Sequence, residues 1–135
     1  MVLDSSAIVA IHLKEAGYER LLELIDEAIE RAEVLLIGVP TLLETAMVLT
    51  ARLDKDARPL LSRFLRQIEA EVVAFNREHF EAATQAFLKF GRGRHPAALN
   101  FGDCMAYGVA SVAGMPLLFT GGDFTRTDIV RADQR

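Results

Sequence analysis

A chain of 135 residues has the length of one ordinary domain, and with 51% hydrophobic residues, 25% charged residues, 9 Gly and 4 Pro it is too apolar and too evenly composed to be disordered, collagen-like or low-complexity. The one cysteine, Cys104, excludes an internal disulfide framework and a cysteine-built zinc site, and His12, His79 and His95 lack any ligand-like spacing for zinc. A formal charge of −4 excludes general coating of duplex nucleic acid by a basic face, although 12 of the 15 basic residues are Arg, whose planar fork suits phosphate.

Short apolar runs of strand character recur along the chain at Met1 to Leu3, Val34 to Ile37, Val72 to Phe75 and Leu117 to Phe119, with a possible fifth at Ile129 to Val130. Helical patterns lie between them. Leu21, Leu24, Ile25, Ala28, Ile29 and Ala32 share one helical face, opposite Glu23, Asp26, Glu27, Glu30 and Arg31. Pro40 suits a first helical turn, and the good helix formers through Ala51 predict a helix that carries Glu44 near its start. Leu60, Leu61, Phe64, Leu65 and Ile68 form another apolar stripe, and Phe80, Ala83, Phe87 and Phe90 a further one. A basic glycine-containing loop, Gly91 to His95, follows, after which Asn100 caps a helix over Asp103 to Ala113 that Gly114 and Pro116 end.

The order β-α-β-α-α-β-α-α-β predicts an α/β fold, one domain over residues 1–135, with a short parallel sheet of four to five strands flanked by helices. No repeat or linker divides the sequence. No basic segment precedes the first apolar residues, and the longest apolar stretch, Cys104 to Phe119, is too short to span a bilayer and is broken by Gly114 and Pro116, so a soluble, cytoplasmic protein without a membrane partner is expected.

Most of the 19 acidic residues belong to solvated helix faces, but four stand in apolar surroundings. Asp4 closes the run Met1 to Leu3, Glu44 sits within Val39 to Leu49, Asp103 within Leu99 to Tyr107, and Asp123 follows Leu117 to Gly122. Buried carboxylates are costly unless they cap helices, pair with bases or hold a cation. Asp4 and Asp123 follow predicted strands, whereas Glu44 and Asp103 open helices, so all four can meet at the carboxyl edge of the sheet, where open α/β sheets form their ligand crevice. Four converging carboxylates call for a neutralising charge, and an all-oxygen donor set suits magnesium or manganese, ions that orient phosphates and activate water. Taken singly, Asp4 also reads as the cap of a helix starting at Ser5 or Ser6, Asp103 as a first-turn acid favoured by the helix dipole, and Asp123 as a turn residue.

Together these segments resemble the PIN-domain ribonucleases, and within them the VapC toxins of bacterial toxin–antitoxin systems. The resemblance rests on Met1-Val-Leu-Asp-Ser-Ser-Ala-Ile-Val-Ala-Ile11, Pro40-Thr-Leu-Leu-Glu-Thr-Ala46, Leu99-Asn-Phe-Gly-Asp-Cys-Met-Ala-Tyr107 and Leu117-Leu-Phe-Thr-Gly-Gly-Asp-Phe-Thr-Arg-Thr-Asp-Ile129, and it runs from Met1 to about Val130. It implies an acidic tetrad of Asp4, Glu44, Asp103 and Asp123 that holds magnesium or manganese, with Ser6 as a supporting polar residue. Asp128 competes with Asp123 for the fourth place and would otherwise be an auxiliary acid; Asp123 is preferred because it lies nearer the strand end. The loop Gly91-Arg-Gly-Arg-His-Pro96 resembles the segment that precedes the third acid in many VapC toxins, which makes Arg92, Arg94 and His95 candidate contacts to RNA phosphates; a solvated loop is the alternative.

The resemblance further implies a metal-dependent endoribonuclease acting as a toxin, a VapB-type antitoxin and a homodimer. Leu42, Leu43, Met47 and Leu53 are candidates for the dimer or antitoxin surface, with burial in the core as the alternative. A PIN-like nuclease of RNA maturation or of DNA, and a non-catalytic binding module, are the competing readings. Gly121-Gly122-Asp123-Phe124 only superficially matches a diguanylate cyclase signature, Asp4-Ser5-Ser6 lacks the second Asp of haloacid-dehalogenase-like phosphatases, and no GxGxxG or GxxxxGK[ST] run is present. Cys104 is expected to be a small buried residue.

Overall fold

The computed structural model describes residues 1–134, in which four short parallel strands, β1 (Val2–Leu3), β2 (Leu36–Gly38), β3 (Glu71–Val73) and β4 (Leu117–Leu118), lie side by side in the order β3-β2-β1-β4. The pairs Val2 with Leu36, Leu3 with Leu118 and Ile37 with Val72 fix the register. Two helices fill each crossover: α1 (Ser5–Leu13) and α2 (Tyr18–Glu30), then α3 (Val39–Leu53) and α4 (Arg58–Gln67), then α5 (Arg77–Phe90) and α6 (Phe101–Ala113). The expected α/β class and parallel sheet are therefore present, and no helix among the described residues is long and apolar enough to cross a membrane.

Successive side chains of a strand point to opposite faces, and here that alternation divides the core in two. Leu3, Leu35, Ile37 and Leu118 join Ile8, Ile25, Leu49, Leu61 and Leu65 under the first four helices. Val2, Leu36 and Leu117 join Ala86, Phe90, Leu99, Val109 and Phe124 under α5 and α6. The strands carry apolar residues on both faces because both faces are covered.

Three expectations need correction. The first crossover holds α1 as well as α2, because Ser5–Leu13 is buried nearly all round and so shows no amphipathic period. Strand boundaries shift: Val34 and Leu35 lie outside β2, Phe75 lies outside β3, and Phe119 outside β4. The fifth strand at Ile129 to Val130 does not form. The chain there touches β4 through one bridge, Leu117 to Arg131, with the Leu117 N–H donating to Val130 O at 2.9 Å, before a 3-10 turn at Ala132–Gln134 ends the pairing.

Candidate active site

In the order β3-β2-β1-β4 the chain steps from β1 through β2 to β3 on one side and then crosses back to β4 on the other side of β1, so the switch point lies between β1 and β4 and the crevice expected of such a sheet opens beyond their carboxyl ends. Asp4 is the first residue beyond the end of β1 and is 4% exposed. It is also the N-cap of α1: Oδ2 accepts from the Ser6 amide at 3.0 Å and from Ser6 Oγ at 2.6 Å. Ser6 Oγ in turn accepts from the Thr120 amide at 3.1 Å, tying Asp4 to the segment that leaves β4. Burial pushes the Asp4 carboxyl up to about 6; the Ser6 bonds oppose that rise, and the negative charges of Glu44 and Asp103 add to it.

Asp103 occupies the third position of α6 and closes a reciprocal capping box, its Oδ2 accepting from the Asn100 amide at 2.8 Å while Asn100 Oδ1 accepts from the Asp103 amide at 2.9 Å. Its carboxyl is raised by partial burial and by Asp123 and Glu44, against the Asn100 bond and the positive charge of Arg92. The capping reading and the site reading thus hold together: the bonds that start α1 and α6 also aim Asp4 and Asp103.

Glu44 stands in the second turn of α3, where Oε1 accepts from Ser5 Oγ at 2.9 Å. Its carboxylate lies against the first turn of α6 at Gly102, where an added Cβ would stand 2.9 Å from Glu44 Cδ and nearer still to Oε2. Only a residue without a Cβ leaves room for that approach. Asp123 begins the 3-10 turn Asp123–Arg126, held from below by buried Phe124. Segments distant in sequence therefore bring Asp4, Glu44 and Asp103 into one electrostatic group, which Asp123 joins through Asp103, with Arg92 as the cation acting on Asp103.

The acids are not collapsed onto a point. Among the described residues no group of three His, Cys, Asp or Glu side chains stands close enough to hold an ion as it is. One oxygen each of Asp4, Glu44 and Asp103 is engaged at Ser6, Ser5 and Asn100, and the second oxygen has no hydrogen bond among the described residues. The donor set fits a hard divalent cation: carboxylates alone, one of them buried, with Asp4 and Asp103 both raised by burial first and by the neighbouring negative charges second.

Other expected residues fall differently. Asp128 is not brought to the acids: Oδ2 accepts from Lys89 Nζ and Oδ1 from Tyr107 Oη, each at 2.5 Å, and the two bonds, Lys89 first, hold its carboxyl below the usual range. The loop after α5 is folded on itself, with the Arg94 and His95 amides both donating to Gly91 O. Arg94 lies over the Phe87 ring at 5.4 Å, and His95 Nδ1 accepts from the Ala97 amide at 3.0 Å. On α3, Leu43 and Met47 are exposed, whereas Leu42 and Leu53 pack against the core. Leu43 and Met47 border a groove of about 490 Å³ with Glu44, Phe101, Gly102 and Met105. Cys104 is buried as expected, and burial pushes its thiol up to about 11. Ser5, Thr120 and Gly102 were not singled out from the sequence; only the Ser5-Ser6 doublet after Asp4 signalled one of them.

The PIN domain family matches residues 1–130. Ribonuclease VapC30 of Mycobacterium tuberculosis is 40% identical over 129 residues, 96% of this chain and 95% of that protein. Ribonuclease VapC36 of the same organism is 41% identical over 96% of this chain and 91% of its own length. Among solved structures, VapBC2 from Rickettsia felis, bound to a DNA fragment from its promoter, superimposes with a TM-score of 0.70 at 16% identity, covering 96% of this chain and 94% of that one. VapC20 of Mycobacterium tuberculosis, described as a Sarcin-Ricin loop cleaving toxin, gives 0.68 at 16% identity, covering 96% and 95%. At that identity the two structures speak to the fold, while the 40% relatives speak to descent. The chain belongs to the PIN-domain family and, within it, to the VapC ribonucleases.

Proposed function

We propose that this chain is the toxin of a VapBC-type module, a magnesium- or manganese-dependent endoribonuclease restrained by a VapB-type antitoxin. The observation that carries the reading is the convergence of Asp4, Glu44, Asp103 and Asp123 from four separate segments at the carboxyl end of the sheet. Relatives at about 40% identity bear the name ribonuclease, and the Rickettsia felis neighbour is a toxin–antitoxin complex.

In this reading the acids hold one or two divalent ions. A bound ion supplies Lewis acidity and charge neutralisation for hydrolysis of a phosphodiester, which otherwise could not approach four carboxylates. The chain does the rest. Ser6 and Asn100 fix Asp4 and Asp103 at helix starts, Ser5 turns Glu44 toward them, and Gly102 admits it. Arg92, whose charge acts on Asp103, would contact a flanking phosphate, with Arg94 and His95 further along the same loop. Leu43 and Met47 offer an apolar surface for the antitoxin or for a second copy in a homodimer.

The test is cleavage of a structured RNA such as tRNA by purified protein with magnesium or manganese, beside the same reaction with DNA. Cleavage of RNA that is lost in chelator and in Asp103→Asn, with the fold retained, is the expected result. Cleavage that survives both, or a preference for DNA, overturns the reading.

A further inference from the structure

Asp123 rides on residues 119–128, a segment that leaves β4 and crosses to the edge of α5 and α6. Its near end is tied to the site by the Thr120 amide on Ser6, and its middle by Phe124, which is buried and packs on Phe119. Its own hydroxyls bond locally, Thr125 Oγ1 to Gly122 O and Thr127 Oγ1 to Phe124 O, and so shape the turn without fixing where it sits.

The far end is held by Asp128. One carboxylate spends both oxygens on two helices, accepting from Lys89 at the end of α5 and from Tyr107 in the middle of α6. Tyr107 lies four residues beyond Asp103, one turn along the same helical face. Lys89 also lies over the Phe90 ring at 4.9 Å, and Phe90 touches the Tyr107 ring, so donors and base form one packed unit.

We propose that Asp128, with Lys89 and Tyr107, is a latch that positions Asp123 against Asp103, and thereby sets how tightly the acidic site binds its divalent ion. The proposal rests on the carboxylate–metal reading above. Lys89 and Asp128 are at least half exposed, so the ion pair adds little to global stability. Its effect is on geometry: released at Asp128, the segment stays attached at Thr120, at Phe124, through Arg126 to Pro96 O and beyond Asp128 where Val130 O accepts from the Leu117 amide, and what is lost is the tie that sets the position of Asp123 relative to α6.

The experiment measures Mn2+ binding by electron paramagnetic resonance on the full chain and on Asp128→Asn, Lys89→Met and Tyr107→Phe, each also made in an Asp123→Asn background. The latch predicts Mn2+ affinity weakened about threefold to tenfold in each single variant, Tm within about 3 °C of the parent, near-parental affinity in Lys89→Arg, and no added loss once Asp123 is Asn. Parental affinity in the single variants overturns the latch, as does an undiminished loss in the Asp123→Asn background. If Asp4→Asn and Asp103→Asn leave Mn2+ binding intact, the metal reading itself has failed, and the two failures are told apart.

Discussion

Asp4 is a buried carboxylate facing two others, and the cost of that arrangement can be measured without substrate. In metal-free protein the folded Asp4 binds its proton more tightly than the unfolded one, with a carboxyl at about 6 against an ordinary 3.8. The folded state therefore carries more protons than the unfolded state between those values, and stability falls as pH rises through that window. At about 1.4 kcal/mol for each pH unit, the charged Asp4 costs about 3 kcal/mol at neutral pH, a figure in which the opposing Ser6 bonds are already counted. Asp4→Asn keeps an oxygen for the Ser6 amide and hydroxyl and presents a donor to Glu44 and Asp103 instead of a third negative charge. Thermal unfolding in chelator should then show the variant close to the parent near pH 4 and more stable by about 10 °C near pH 8. Acids that titrate elsewhere, such as Asp56 and Asp128, are common to both proteins and cancel in the difference. A variant less stable than its parent at pH 8, or a difference that does not grow between pH 4 and pH 6, refutes the electrostatic account of the site.

Gly102→Ala separates activity from stability: the methyl would displace Glu44 while improving helix propensity by up to about 1 kcal/mol, so cleavage should drop at least about tenfold with Tm unchanged or raised. Ser6→Ala removes both the hydroxyl that Asp4 accepts from and the acceptor for the Thr120 amide, and urea unfolding should show a loss of about 2 kcal/mol, against about 1 kcal/mol for Ser5→Ala. Asn100→Ala breaks the capping box and should cost about 1 kcal/mol by the same assay, together with weaker metal binding as Asp103 loses its aim. Arg92→Ala should raise the KM for RNA with little change in kcat and flatten the salt dependence of binding by about one charge, measured by filter binding across a salt series.

Much of this was legible in the sequence because it depends on local signals. Asn100 followed three residues later by Asp103, Gly114 before Pro116, and the apolar stripe of Leu21, Leu24, Ile25 and Ala28 each announce an element through nearest-neighbour physics. The acids stood out because carboxylates among apolar residues are uncommon. What was hidden is what depends on approach between distant segments. Gly102 reads as an unremarked residue beside Asp103 until Glu44 of α3 arrives against it, and Ser5 reads as a helix-start residue until the same carboxylate reaches it. Asp128 lies as near Asp123 in sequence as an auxiliary acid should, yet Lys89 and Tyr107 claim it. Helix α1 was signalled only by its cap at Asp4 and was missing from the expected element order for the opposite reason, burial on nearly every side erasing the periodicity that marks a surface helix.

The most direct measurement is calorimetric titration of Mn2+ into the parent and into Asp4→Asn, Glu44→Gln, Asp103→Asn and Asp123→Asn. Saturable binding by the parent, weakened at least about tenfold by each substitution, is the result expected of four carboxylates that together hold the divalent metal. Binding that no single substitution weakens would mean that these side chains, though gathered at one sheet edge, do not act on a common cation.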